Sequence, residues 1–466
     1  MYLLFLLSFN AQDYKIGLSM KNWKNLLGFL FLLLIPSIST SRADVTKIEV
    51  FADTKTGQIF PKDFLGVYQT PLQPLDKLLR SLSFLQELGI KNLRYELGWG
   101  KPDALAFDCI SGSVGKIKCD FSSLDPFFSA LRDLKIHPLF VISYCPNPLK
   151  SREGWEAWKD PPSSLVSWRY VCKLFAKHLA DIGLHPSYEI WNEPDLGNNG
   201  WKEFFYGDPS TYSNVYKFAV EGLLQGDGKA AVGGAGVAWN QAYNQAILSS
   251  GARVDFISIH AYGPESLIRH LDWAKSLIRG DIPIYLTEYA SYNQFGLQAP
   301  VSRYQASSAF FCDLKKMLGY YPILRKVYWA QWIDDALGLL TNDLHRKALF
   351  NAFYIYQRLL PEEACRCDLK NTSEVGILAG SDREKVGVVL WNESEKEKRL
   401  RVIIRNLPFK GGRIEVYRID SQHSSFIDNP KSERLEVAEG HSIESRIAKW
   451  EGTLPSLSTL FLLLSK

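Results

Sequence analysis

Short apolar runs recur along the chain, each followed by a longer stretch whose apolar positions return every three or four residues. Runs of the first kind read as buried strands and stretches of the second as amphipathic helices. The strand-like runs are Phe64 to Gln69, Asn92 to Glu96, Pro138 to Ser143, Tyr188 to Asn192, Ala231 to Ala235, Phe256 to His260, Ile284 to Glu288 and Val327 to Trp332. Between them lie Leu75 to Leu88, Leu124 to Leu134, Val166 to Ile182, Tyr212 to Leu224, Ser266 to Ile278 and Tyr304 to Met317. Eight strands alternating with helices predict an α/β protein whose parallel strands close into a (β/α)8 TIM barrel. An open doubly wound sheet is the rival, but no Gly-rich phosphate loop follows the first strand.

Past a last barrel helix, Leu349 to Leu360, the pattern changes to short alternating segments: Val375 to Leu378, Val386 to Trp391, Leu400 to Arg405, Gly412 to Arg418 and Thr459 to Leu464. They predict a small C-terminal β-sandwich. The segment Lys47 to Ala52 is also strand-like, and it is expected to pair into that sandwich rather than lie at the barrel floor. The expected organisation is therefore a targeting segment over 1–43, a strand segment over 44–60, the barrel over 61–362 and the sandwich over 363–466.

The first 43 residues carry address rather than fold. From Met20, a basic start (Lys21, Lys24) precedes the apolar stretch Leu26 to Ile35, and Ser41-Arg42-Ala43 could be cut, as in a secretory signal. An uncleaved anchor is the alternative, and either Met1 or Met20 could be the start. Export predicts a secreted, periplasmic or cell-envelope protein that touches membrane only if this segment is retained. The seven cysteines fit export loosely: Cys109 and Cys119 flank a short loop and could close a disulfide, while Cys365 and Cys367 are too close for easy bridging. No His/Cys spacing matches a zinc site.

Composition narrows the classes further. A chain of 466 residues with 46% hydrophobic content buries a full core, and its net charge of +4 comes from scattered residues without a basic stripe. Nucleic acid is thus not an expected partner. Thirteen Trp offer flat faces for stacking on sugar rings as well as for packing. Asn371-Thr372-Ser373 and Asn392-Glu393-Ser394 are glycosylation sequons, to which the sequence assigns no role.

In a parallel barrel the ends of the strands build the active site. The fourth run closes on Trp191-Asn192-Glu193-Pro194-Asp195 and the seventh on Leu286-Thr287-Glu288-Tyr289, so two carboxylates leave nearly opposite strands at one mouth. A single Glu there reads as a salt-bridge partner; two facing each other read as catalysis. With Asn192-Glu193-Pro194 on the fourth strand and the second Glu three strands on, the chain resembles glycoside hydrolase clan A. The order of elements most resembles family 39, which includes β-xylosidases, iduronidases and bacterial exopolysaccharide hydrolases.

The resemblance implies Glu193 as acid/base, Glu288 as nucleophile and Asn192 as the donor to the sugar hydroxyl beside the reacting carbon. It further implies that Arg94 keeps the nucleophile ionised, that His260 and Tyr262 line the site with Tyr262 bonded to Glu288, and that Trp332 is a sugar platform. Loops carrying Trp99, Trp155, Trp158, Asn198 and Trp201 are expected to shape the cleft. The expected function is an exported retaining glycosidase cleaving β-linked glycosides or polysaccharide, with no cofactor or metal. Retention predicts carboxyl groups roughly 5 to 5.5 Å apart, and the like charge of Glu288 is expected to raise the pKa of Glu193. A transglycosylase, or a non-catalytic carbohydrate-binding protein on a degenerate barrel, is the alternative.

Overall fold

The computed structural model describes residues 45–197, 202–291, 302–370 and 373–466. The expected targeting segment, Asn198, Trp201 and Asn371 lie outside the described residues. Along the chain the elements begin β1 (Val45–Ile59), β2 (Leu65–Gln69), α1 (Leu75–Leu88), β3 (Asn92–Glu96), β4 (Ile110–Ser113), β5 (Lys116–Cys119), α2 (Asp125–Asp133) and β6 (His137–Ile142). Next come α3 (Leu165–Asp181), β7 (Ser187–Ile190), α4 (Pro209–Gly226), β8 (Ala231–Val237), α5 (Ala242–Leu248), β9 (Phe256–Tyr262) and α6 (Pro264–Leu277). The barrel ends with β10 (Ile284–Ala290), α7 (Gln305–Leu318), β11 (Leu324–Ala330) and α8 (Ala348–Tyr354).

Strands β2, β3, β6, β7, β8, β9, β10 and β11 pair side by side and close into a barrel. Every residue of β2 and β3 is buried, as expected when helices cover one face and the interior fills the other. The helices dock by periodic leucines. On α1, Leu78, Leu82, Leu85 and Leu88 face the strands, and the helix stops where Gly89 turns left-handed at φ 75°. Ser164 caps α3 and Asp208 caps α4, each accepting a backbone N–H from the first turn. Tyr68, Leu139, Phe256, Tyr328 and Ala330 plug the barrel interior.

The C-terminal region adds β12 (Glu363–Lys370), β13 (Val375–Ser381), β14 (Lys385–Asn392), β15 (Lys398–Arg405), β16 (Gly412–Ile419), β17 (Val437–Ile443), β18 (Ala448–Leu454) and β19 (Thr459–Ser465). Strand β1 is antiparallel to β12 and parallel to β15, completing a nine-stranded sheet. The sheet folds over a shared core in which Ile48, Val50, Val402 and Ile404 meet Val388, Leu390, Val416 and Leu462, giving the sandwich. It rests on α7, where Phe311 stacks on Trp391 and Ser308 donates to the Asn392 carbonyl.

Two expectations are corrected here. All seven cysteines are free thiols. Cys109 and Cys119 do not bridge, because the β4–β5 hairpin sets Cys119 opposite Ile110, one residue out of register with Cys109. Trp332 is no sugar platform: it is 1% exposed, donates from Nε1 to Ser81 Oγ on α1 at 3.0 Å and packs near Phe350. Although β11 ends at Ala330, the Trp332 N–H still donates to the Tyr68 carbonyl of β2 at 2.7 Å, so the backbone stays on the barrel wall while the indole points out to the layer of α1 and α8.

Candidate active site

Arg94, midway along β3, is fully buried and organises the mouth through three separate bonds. Its Nε donates to Glu189 Oε2 at 2.6 Å, Nη1 to Glu288 Oε1 at 2.7 Å and Nη2 to Asn192 Oδ1 at 2.8 Å. The Tyr68 ring lies 4.4 Å from the guanidinium carbon. A buried guanidinium is stable only when its donors are matched, and two carboxylates with one amide oxygen match it. Glu189 is the member that strand-end reasoning missed. It sits inside β7 and also accepts from Thr287 Oγ1 at 2.9 Å; its signal was a lone charge within the apolar run Tyr188 to Asn192.

The β7 end is locally strained in the way functional turns are. Trp191 and Glu193 adopt left-handed backbone at φ 68° and 40°, conformations that cost a non-glycine residue about 1–3 kcal/mol and persist only where surroundings enforce them. Here Trp191 Nε1 is tied to the Phe204 carbonyl and its ring packs on Phe205, while the Glu193 N–H donates to the Gly236 carbonyl. Gly236 must itself be glycine: at φ 60°, an added Cβ would lie 2.6 Å from Glu189 Oε1.

Glu193 and Glu288 face each other with His260 between. His260 Nδ1 is 2.8 Å from Glu193 Oε1 and 3.8 Å from Glu288 Oε2. Tyr262 donates to Glu288 Oε2 at 2.5 Å. One oxygen of each carboxylate and one imidazole nitrogen lie mutually within 4.8 Å. By residue type these three could hold a metal ion, but both Glu288 oxygens are already bonded, to Arg94 and Tyr262, and an ion there would compete with the guanidinium.

The two carboxyls are driven apart in acidity. Burial pushes Glu193 up to about 7, with a smaller push from the charges of Glu288 and Asp195, against the opposing pull of His260. Burial would raise Glu288 too, yet the charges of His260 and Arg94 and the hydrogen bonds from Tyr262 and Arg94 outweigh it and hold that carboxyl low. The charge of Glu288 thus raises Glu193 as expected, and burial, the first cause, acts in the same direction.

The sequence model of glycosyl hydrolases family 39 matches residues 68–315, just over half of the chain and the barrel from within β2 to α7. The chain belongs to glycosyl hydrolases family 39. As a family 39 member it is a glycoside hydrolase. Its fold is similar to that of the family 39 enzyme from Xanthomonas axonopodis pv. citri, at 16% identity and TM-score 0.74 over 93% of this chain and 99% of that one. A monomeric β-xylosidase from Caulobacter crescentus CB15 matches at 16% identity and TM-score 0.72, over 90% and 99%. A bacterial orthologue of human α-L-iduronidase matches at 15% identity and TM-score 0.67, over 90% and 84%. Among curated protein sequences no match is found.

Within this family 39 barrel, Arg94, Asn192, Glu193, His260, Tyr262 and Glu288 converge on one site. Trp99 does not join them: it is fully buried against Trp168 and Phe175. Trp158 is 5% exposed and packs on Tyr144, whereas Trp155 is 75% exposed on the loop after β6. The sequon at Asn392 is buried as well, its amide donating to the carbonyls of Lys396, Leu454 and Pro455. Sequence reasoning missed Trp239, on the loop after β8, which lines a cavity together with both glutamates.

Proposed function

We propose that this chain is an exported glycosidase that cleaves β-linked glycosides with retention, Glu193 serving as acid/base and Glu288 as nucleophile. The observation that carries the reading is the facing pair of carboxyls, with oxygens within 4.8 Å of each other, of which Glu193 is pushed up to about 7 by burial and Glu288 is held low by His260, Arg94 and Tyr262. That closeness favours direct attack on the anomeric carbon over an inverting site, where about 6.5–9.5 Å leaves room for water.

In the first step Glu193, protonated near neutral pH, donates to the departing oxygen while ionised Glu288 attacks from the opposite face. Arg94 and Tyr262 hold the two Glu288 oxygens, fixing the direction of attack. Arg94 also occupies the Asn192 oxygen, which orients the amide so that its N–H groups are the side available to a sugar hydroxyl. In the second step water attacks the glycosyl carbon, Glu193 takes its proton and Glu288 leaves. The basic, apolar segment over 21–35 supports export.

The test is hydrolysis of an aryl glycoside panel, β-xylosides first, by the chain from Asp44 onward beside Glu193→Gln and Glu288→Gln. Both variants should lose at least about a thousandfold in kcat/KM on unactivated substrates, and proton NMR should show the β-anomer as first product. Release of the α-anomer would overturn the retaining reading, and full activity in either variant would overturn its assigned role.

A further inference from the structure

We propose that Trp239 and Arg269 form the subsite for the departing half of the substrate, a sugar bearing an acidic group, and that Asp195 is the positioning residue that holds Trp239 there. The proposal rests on the glycosidase reading of Glu193 and Glu288. A cavity of about 420 Å³ runs from those two carboxylates to Leu196, Trp239, Tyr262 and Arg269. The proton leaves from Glu193 toward the departing oxygen, so the departing group must lie on the Glu193 side of the mouth. That side is where β8 and β9 deliver Trp239 and Arg269.

Trp239 is 46% exposed although it stands beside the most buried chemistry of the chain. A large indole left open at a cavity wall offers the flat apolar face on which the C–H side of a sugar ring stacks. Its backbone is not loose. Asp195, 3% exposed, accepts the N–H of Ala238 at 2.9 Å, of Trp239 at 2.8 Å and of Asn240 at 2.7 Å. A carboxylate buried to receive three consecutive N–H groups fixes the loop as a rigid mount, so the exposed ring is presented rather than left to wander.

Arg269, on the exposed side of α6, supplies the charge preference. It has no ion-pair partner among the described residues, while both carboxylates of the cavity are committed to the reaction. A guanidinium at that edge pairs through two parallel hydrogen bonds with a carboxylate or sulfate, and a neutral sugar offers no equivalent.

The experiment measures how the glycosyl-enzyme partitions between water and an added acceptor, since an acceptor enters through the subsite the leaving group vacates. With the best aryl glycoside as donor, methyl β-D-glucuronide and methyl β-D-glucoside are compared as acceptors in the full chain. The wild type should transfer to the glucuronide about tenfold better than to the glucoside. Trp239→Ala should lower the ratio of transfer to hydrolysis about tenfold for both acceptors. Asp195→Ala should reproduce that loss, with Asp195→Asn recovering part of it, and Arg269→Gln should bring the glucuronide down to the level of the glucoside.

Equal transfer to the two acceptors in the wild type, or an unchanged ratio in Trp239→Ala, would overturn the proposal. Should no donor be turned over, saturation-transfer NMR on the same proteins separates the two ideas. Glucuronide contacts seen in the wild type and lost in Trp239→Ala would sustain the subsite and sink the glycosidase reading; contacts absent from both would sink the subsite.

Discussion

Replacing Glu193 by Gln should remove activity and, at the same time, stabilise the fold in a pH-dependent manner. In the folded chain burial lifts this carboxyl from an ordinary 4.5 to about 7. The folded state therefore binds the proton more tightly than the unfolded state does. Stability from this group is fully present below about 4.5 and is lost as pH rises through about 7. At about 1.4 kcal/mol per tenfold change in proton affinity, the ionised group costs on the order of 3 kcal/mol at pH 8.

Glutamine keeps the shape and an acceptor for His260 but never ionises. The altered hydrogen bond shifts the absolute difference, so the informative quantity is how the difference in stability between variant and wild type grows with pH. His260, itself raised by Glu288 and Glu193 against its own burial, loses stability with rising pH in the same sense. It keeps Glu288 as a partner in the variant, so the sign of the difference is preserved. Urea unfolding at pH 5 and pH 8 should show the variant gaining roughly 2–3 kcal/mol relative to wild type between the two. A constant difference across that range would refute the claim that Glu193 is held protonated by burial.

The same acidities predict a bell-shaped kcat/KM profile. Its alkaline limb should fall near pH 7 as Glu193 deprotonates, and its acid limb below the ordinary Glu range, because Glu288 is held low; a profile flat from pH 5 to 9 would contradict both. Trp332→Ala should cost about 3–5 kcal/mol in urea unfolding, as for a buried aromatic, with KM unchanged in the protein that stays folded. Asn392→Ala leaves three carbonyls without their donor and should destabilise by about 2 kcal/mol; expression in a glycosylating host should leave Asn392 unmodified by mass spectrometry. Prolonged chelation should not change kcat, and loss of activity restored by a divalent ion would show that the cluster of Glu193, His260 and Glu288 holds a metal.

Much of the barrel was legible because its signals are local and repeated. A run such as Asn92 to Glu96 is buried on both faces, and a helix such as α1 carries its leucines at a spacing that needs no tertiary context. Strands β12, β17 and β18 were not legible. Stretches such as Val437–Ile443 are largely exposed and lack the alternation that marks a half-buried strand. Helix α5 is only seven residues long, too short for its period to register.

The site divided along a similar line. Residues at strand ends could be placed from sequence, since position along a barrel strand determines which side of the barrel they reach. Trp332 failed because, two residues beyond the end of β11, its backbone is still bonded to β2 while its side chain faces the helix layer, and which face a residue past the strand end takes is not set by the strand's alternation. Trp239 was invisible for the converse reason. Its exposure is created by the bonds from Asp195, forty-odd residues earlier in the chain, and no local pattern announces a pairing of that kind.

In the proposed retaining mechanism, the burial of Glu193 bears on the second half of the reaction as well as the first. Were the charge of Glu288 the main cause, glycosylation of Glu288 would remove it and Glu193 would relax to an ordinary carboxylate, ready to act as base. Burial survives that step. Only the lesser contribution disappears when Glu288 is esterified, while the opposing pull of His260 remains. On the proposed route, Glu193 would then act as a base that burial still favours in its protonated form. That benefits the second step, because a carboxylate that binds protons more tightly accepts one from water with a smaller penalty. The apolar pocket around Glu193 thus serves donation and acceptance alike, and His260 at 2.8 Å keeps the ionised form accessible near neutral pH.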